Sequence, residues 1–181
     1  MILTQANALR IPLARQSELA DESVNCVTSW ITGLMRENYE AVGFIPDTTI
    51  RSRYLANGQY ILQTDERGIR VGYLLHGVML SGRPVVISQH CIQYEKRLRG
   101  YGEIAVKKLI DRCISNGVTS IRLRCAENLP ALFFWQSLGF SVTGIVNQNN
   151  RRNRLIVEMV MPLDLPLFNE KPGSSQVKNN A

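Results

Sequence analysis

The spacing of apolar residues changes period along the chain, and the changes mark out the elements. Between Gln16 and Asn38, Leu19, Val24, Val27, Trp30, Ile31 and Leu34 recur at helical spacing and predict a helix. Asp47-Thr48-Thr49 offers capping side chains ahead of Ile50, Tyr54 and Leu55, so a second short helix is expected there, closed by Asn57-Gly58. The pattern then alternates. Gln59–Thr64, Arg70–Leu80 and Val85–Tyr94 read as strands separated by turns at Asp65–Gly68 and Ser81–Pro84. Val106, Leu109, Ile110, Cys113 and Ile114 return to helical spacing over residues 103–116, and Gly117 is a natural stop. Val118–Cys125 alternates again. Pro130–Leu138 reads as a short helix with Asn128 as its candidate cap. Phe140–Val146 and Arg154–Met161 read as strands joined by the polar loop 147–153.

This order defines an α+β fold with one mixed central sheet flanked by helices. An antiparallel meander comes first. A βαβ unit follows, whose strands at 85–94 and 118–125 should run parallel through a right-handed crossover. Residues 1–165 are expected to form a single domain. The rest, 166–181, includes the polar run NEKPGSSQVKNNA and is expected to be a disordered tail.

Composition narrows the classes. Of 181 residues, 45% are hydrophobic and 20% charged, which suits a globular chain. No apolar run approaches the roughly 20 residues of a membrane helix. The N-terminal sequence lacks the basic-then-apolar order of a secretory signal, so a cytoplasmic protein is expected. Cys26, Cys91, Cys113 and Cys125 form no CxxC pair, and His76 and His90 are the only histidines, so no metal site is expected. The net charge of +6 suits nucleic acid, a membrane surface or a phosphate-rich small molecule, and does not choose among them.

The sharpest local feature is Arg97-Leu98-Arg99-Gly100-Tyr101-Gly102, between a strand and an amphipathic helix. Glycines there free the backbone to approach a ligand, and the helix start presents unpaired N–H groups. Such a junction suits a pyrophosphate, although a plain tight turn has the same appearance. It is neither a P-loop nor a complete dinucleotide fingerprint. A second segment lies downstream: Asn128, Ala131, Phe134, Gly139 and Phe140 in the spacing N-x-x-A-x-x-F-x-x-x-x-G-F.

Together these two segments resemble the GNAT superfamily of acyl-CoA-dependent N-acetyltransferases. Arg97, Gly100 and Gly102 match its [Q/R]-x-x-G-x-[G/A] motif, and the element order matches its fold. The motif regions cover roughly residues 85–145. The resemblance implies that the strands before and after the central helix splay apart and admit pantetheine, with acetyl-CoA as cosubstrate. Backbone N–H groups of Leu98, Arg99, Gly100, Tyr101, Gly102 and Glu103 would hold the pyrophosphate. A main-chain N–H near Ile92 would stabilise the oxyanion. Asn128 and Phe134 would border the cofactor. An amine would attack the thioester directly in a ternary complex. One departure stands out: Trp135 occupies the position of the tyrosine that usually protonates the leaving thiolate.

The base is not fixed by the sequence. His90 is the titratable group on the central strand, though a hydrogen-bonded strand histidine is the more ordinary reading. Glu127 and Tyr94 are further candidate catalytic groups. Arg51 and Arg53 on the second helix, and Arg151, Arg152 and Arg154 at the last hairpin, would suit an anionic acceptor such as tRNA, other nucleic acid or an acidic peptide. The resemblance leaves a homodimer open. The alternative to an enzyme is a catalytically weak GNAT-fold module that binds acyl-CoA or nucleic acid.

Overall fold

The computed structural model describes residues 20–146 and 154–163. Residues 16–19 of the first expected helix, the loop 147–153 with Arg151 and Arg152, and the tail 166–181 lie outside the described residues.

Helix α1 (Ala20–Glu37) is followed by the one-turn α2 (Tyr39–Val42) and by α3 (Asp47–Thr49), which runs into a π-helical turn at Ile50–Leu55. Strands β1 (Tyr60–Thr64), β2 (Arg70–His76) and β3 (Val85–Ile92) make the meander. Then come α4 (Tyr101–Ser115), β4 (Ser120–Ala126), α5 (Ala131–Ser137), β5 (Ser141–Val146) and β6 (Ile156–Pro162). The six strands form one sheet in the order β1-β2-β3-β4-β6-β5. All neighbours are antiparallel except β3 and β4, which run parallel across the α4 crossover. This is the arrangement that the resemblance implies.

Several expected boundaries move, each for a local reason. β2 stops at His76, where Gly77 and the turn beyond take over. Helix α4 begins at Tyr101, two residues before the expected start. Asp47 is not a cap: its carboxylate accepts the Thr32 hydroxyl at 2.7 Å and ties α3 to α1. Nor is Asn128 the cap of α5, which is preceded by Pro130. At the far end of α4, Gly117 has a φ of 68°, and a Cβ there would lie 2.7 Å from Ser81 Oγ. Glycine therefore meets two demands at once: the left-handed stop and the close turn at Ser81.

Each sheet face carries its own core. Ala105, Val106, Leu109 and Cys113 of α4, with Trp135 of α5, pack on Val85, Ile87, Ile121, Leu123, Val157 and Met159. On the other face, Ile31, Leu34 and Met35 of α1 pack with Ile50, Tyr54, Tyr73, Leu75 and Cys91. Burying each valine, leucine, isoleucine or methionine among them stabilises the fold by about 1.5–3 kcal/mol.

Strand β3 changes face partway along. Leu75 pairs with Gln89 but the adjacent His76 pairs with Ile87, so Ser88 is an extra residue and the strand bulges. Before the bulge, Val85 and Ile87 face α4. Past it, Cys91 faces α1. The buried Gln89 accepts the Tyr73 hydroxyl at 3.1 Å and donates to the Val42 carbonyl at 2.9 Å. His90 is thereby turned toward α4 and α5.

Candidate active site

The bulge coincides with an opening in the sheet. β3 and β4 pair at Val85–Ile121 and Val86–Arg122, and no further. Beyond that point the β3 edge has lost its neighbour. Its remaining ladder is with β2, where the Gln93 N–H donates to the Val71 carbonyl at 2.9 Å. Backbone groups alternate sides along an antiparallel pair. Those of His90 and Ile92 therefore face the gap.

Two clefts meet there. One, of about 490 Å³, runs past His90, Cys91 and Ile92 to the loop at Lys96–Gly100 and the first turn of α4, with Phe134 and Trp135 opposite. The other, also about 490 Å³, lies between α2, Ile87–His90 of β3, Leu123–Ala126 of β4 and the start of β6. Ala41, Val42, His90, Leu129, Ala131 and Trp135 border both.

The loop ahead of α4 has an unusual backbone. Leu98 has a φ of 57° and Gly100 a φ of 81°. Leucine in the left-handed region costs about 1–2 kcal/mol, and the Leu98 side chain is fully exposed and gains nothing in return. Such strain points to a backbone conformation held for its N–H directions. Gly100 needs its conformation, since a Cβ there would meet nothing within 4 Å. Gly102 needs its bareness: a Cβ would sit 3.2 Å from His90 Cε1 and 3.2 Å from Phe134 Cζ.

Much of the positive charge around this loop is engaged within the protein. Lys96 pairs with Asp65 at 3.1 Å, and this lysine is the main reason the Asp65 carboxyl is held below its ordinary pKa. Lys107 pairs with Glu103 at 2.8 Å. Arg97 turns back, donating from Nε to the Ile92 carbonyl at 3.1 Å and from Nη2 to Asn38 Oδ1. That leaves the backbone of the loop, with exposed Arg99 beside it.

The candidate residues separate. Ile92, Arg97, Leu98, Gly100, Tyr101, Gly102, Glu103 and Phe134 line the first cleft, and His90 lines both. Arg99, Asn128, Glu127 and Tyr94 line neither, nor do Arg51 and Arg53. Tyr94 is 76% exposed and lies under the Arg97 guanidinium, 5.3 Å from ring centre to carbon. Arg154 reaches the second cleft and donates to the Glu40 carbonyl and carboxylate at 2.7 and 3.1 Å. Sequence reasoning missed α2, because four residues leave no periodic signal. Asn38, Ala41 and Val42 enter the site through it.

His90 is enclosed by aromatic rings, 5.8 Å from Phe134 and 5.6 Å from Trp135. Its Nε2 is buried without a hydrogen-bond partner. Burial pushes its pKa down to about 4, so the ring is neutral at pH 7. His76 is also depressed by burial, but its Nδ1 lies 2.8 Å from the Gly77 carbonyl, away from both clefts. Cys91 is pushed up to about 11 by burial, which removes it as a thiolate nucleophile at neutral pH. Trp135 is buried against His90, Phe134 and Phe140.

Residues 18–140 match the Acetyltransferase (GNAT) family. The chain belongs to that family, whose chemistry is acyl transfer. The fold superposes on the crystal structure of Ard1 from Thermoplasma volcanium with a TM-score of 0.65 at 14% identity, over 75% of this chain and 90% of that one. The ribosomal-protein-S18-alanine N-acetyltransferase from Escherichia coli gives a TM-score of 0.62 at 18% identity, over 84% and 95%. A phosphinothricin acetyltransferase from Sinorhizobium meliloti, solved with acetyl-CoA, gives 0.64 at 20% identity, over 82% and 92%. At these identities the likeness establishes the fold. No curated protein matches the sequence. Among the described residues, no helix is long and apolar enough to cross a membrane.

Proposed function

We propose that this protein is an acyl-CoA-dependent N-acyltransferase that uses acetyl-CoA on a primary amine. The observation that carries the reading is the early end of the β3–β4 ladder. It leaves backbone groups of His90 and Ile92 facing a gap whose far end is the left-handed loop and the start of α4.

The residues fit the cosubstrate. Backbone N–H groups from Leu98 to Glu103 would hold the pyrophosphate, helped by the α4 dipole. Gly102 lets the first turn of α4 pack directly against His90 and Phe134, where any side chain would crowd those rings. The gap-facing backbone at His90 and Ile92 would pair with the pantetheine arm, and an N–H there would polarise the thioester carbonyl. Bound acetyl-CoA supplies an activated acyl group and a thiol leaving group. The second cleft would seat the amine acceptor, and its volume suits a small molecule or a chain terminus better than a nucleic-acid duplex.

Proton handling follows from His90 and Trp135. An imidazole with a pKa near 4 does not hold a proton taken from an ammonium group at neutral pH. The proton lost by the amine therefore passes to water in the open second cleft. Trp135 offers an indole N–H, which can hydrogen-bond a thiolate but not protonate it. A thiolate is a good enough leaving group to depart unprotonated and take its proton from water afterwards. Losing the tyrosine is therefore compatible with turnover.

The test is the unfolding midpoint with acetyl-CoA, coenzyme A and ATP, followed by amine-dependent thiol release. A ligand at about 100 times its Kd adds about 2.7 kcal/mol. The reading expects a rise with both coenzyme A species and not with ATP. Absence of any rise would overturn it. Coenzyme A binding without thiol release for any amine would instead support the non-catalytic acyl-CoA-binding module.

A further inference from the structure

Helix α2 is the wall shared by the two clefts, since Ala41 and Val42 border both. It is tethered from three parts of the fold. The Val42 carbonyl accepts from Gln89 Nε2 on β3 at 2.9 Å. Glu40 accepts from Arg154, just ahead of β6. Asn38, at the head of α2, accepts at Oδ1 from Arg97 Nη2.

The third tether differs in kind. Gln89 and Arg154 anchor α2 to the sheet. Arg97 belongs to the loop whose left-handed residues, Leu98 and Gly100, follow it directly. A cation placed there to hold phosphate would reach outward. Arg97 reaches back: Nε bonds the Ile92 carbonyl and Nη2 bonds Asn38, with the guanidinium over Tyr94. Asn38 passes the position on, because its own carbonyl accepts the N–H groups of Ala41 and Val42 at 2.9 and 3.1 Å. A shift of the loop at Arg97 therefore moves the first turn of α2.

We infer that Arg97 and Asn38 are positioning residues that couple the two clefts. An anion bound on the backbone of residues 98–103 fixes Arg97, Arg97 fixes Asn38, and α2 firms as the wall of the second cleft. The inference rests on the acyl-CoA reading above. By linkage the effect is reciprocal, so an occupant of the second cleft that orders α2 tightens the hold on coenzyme A by the same factor.

Amide hydrogen exchange on the full chain, with and without coenzyme A, tests this without knowledge of the acceptor. In the parent, coenzyme A should slow exchange in residues 98–103 and, by about tenfold, in residues 39–43. Asn38→Ala should keep the first protection and lose the second. Asn38 also donates from Nδ2 to the Leu34 carbonyl at 2.8 Å, closing the end of α1. Asn38→Asp removes that donor and keeps an acceptor for Arg97, so it should behave like the parent. If Asn38→Ala retains protection at 39–43, coenzyme A touches α2 directly and the coupling is overturned. If Asn38→Asp behaves like Asn38→Ala, the α1 closure is responsible and the coupling is again overturned. If residues 98–103 gain no protection in the parent, the failure lies in the coenzyme A site itself.

Discussion

Acid should weaken this protein through His90, and the amount can be worked out. The ring is half-buried against Phe134, Trp135 and Gly102, and desolvation there lowers its pKa from 6.5 to about 4. Above pH 6.5 both folded and unfolded chains hold the imidazole neutral, and the group has no effect. As pH falls through 6.5 the unfolded chain takes up a proton that the folded chain refuses, so stability is lost. The loss is about 2 kcal/mol by about pH 5, and approaches about 3 kcal/mol near pH 4. Urea unfolding at a series of pH values from about 7.5 to 5 measures it. His90→Leu supplies the comparison: it removes the titrating group and keeps an apolar side chain. Any fixed offset of the variant cancels, because the quantity of interest is how the difference between the two proteins changes with pH. His76 is shifted in the same direction but is present in both. The difference should move by about 2 kcal/mol in favour of His90→Leu. Parallel curves for the two proteins would refute the desolvated, neutral imidazole and with it the account of proton handling.

Other outcomes follow from the same geometry. Replacing both Gly100 and Gly102 with valine should abolish the rise in unfolding midpoint given by coenzyme A, and an undiminished rise would place the phosphates elsewhere. The kcat/KM for an accepted amine should climb steadily from about pH 6 to 9 with the amine's own deprotonation. An inflection near 6.5 would return His90 to the role of base. Trp135→Tyr should raise thiol release at saturating acetyl-CoA by at least about tenfold while coenzyme A binding stays nearly constant. An unchanged rate would mean that protonation of the leaving group limits nothing.

Most of the architecture was legible because burial follows period. The face of α4, the alternation of β4 and the glycines at 100 and 117 all carry their geometry in residue type. What escaped was set by position. Val85, Ile87, Gln89 and Cys91 alternate as a regular strand would, yet the extra residue at Ser88 sends the first two to one core and the last two to the other face. Periodicity cannot register one inserted residue when the inserted side chain is itself exposed. Lys96 and Arg97 stand together ahead of α4 in the sequence, but their partners, Asp65 and Asn38, lie too far off in the chain for local reading to supply. Leu98 gave no signal, since leucine has no preference for a left-handed backbone.

The short parallel ladder has a mechanical consequence. Strands β1–β3 and β4–β6 are two leaves stitched by two rungs at one end, with α4 and α5 lying along the seam. A tight binder lodged in the gap would act as a seventh strand and close the seam. Stretched between points on opposite leaves, the empty protein should part there first, at low force, and the occupied protein should resist as a single sheet.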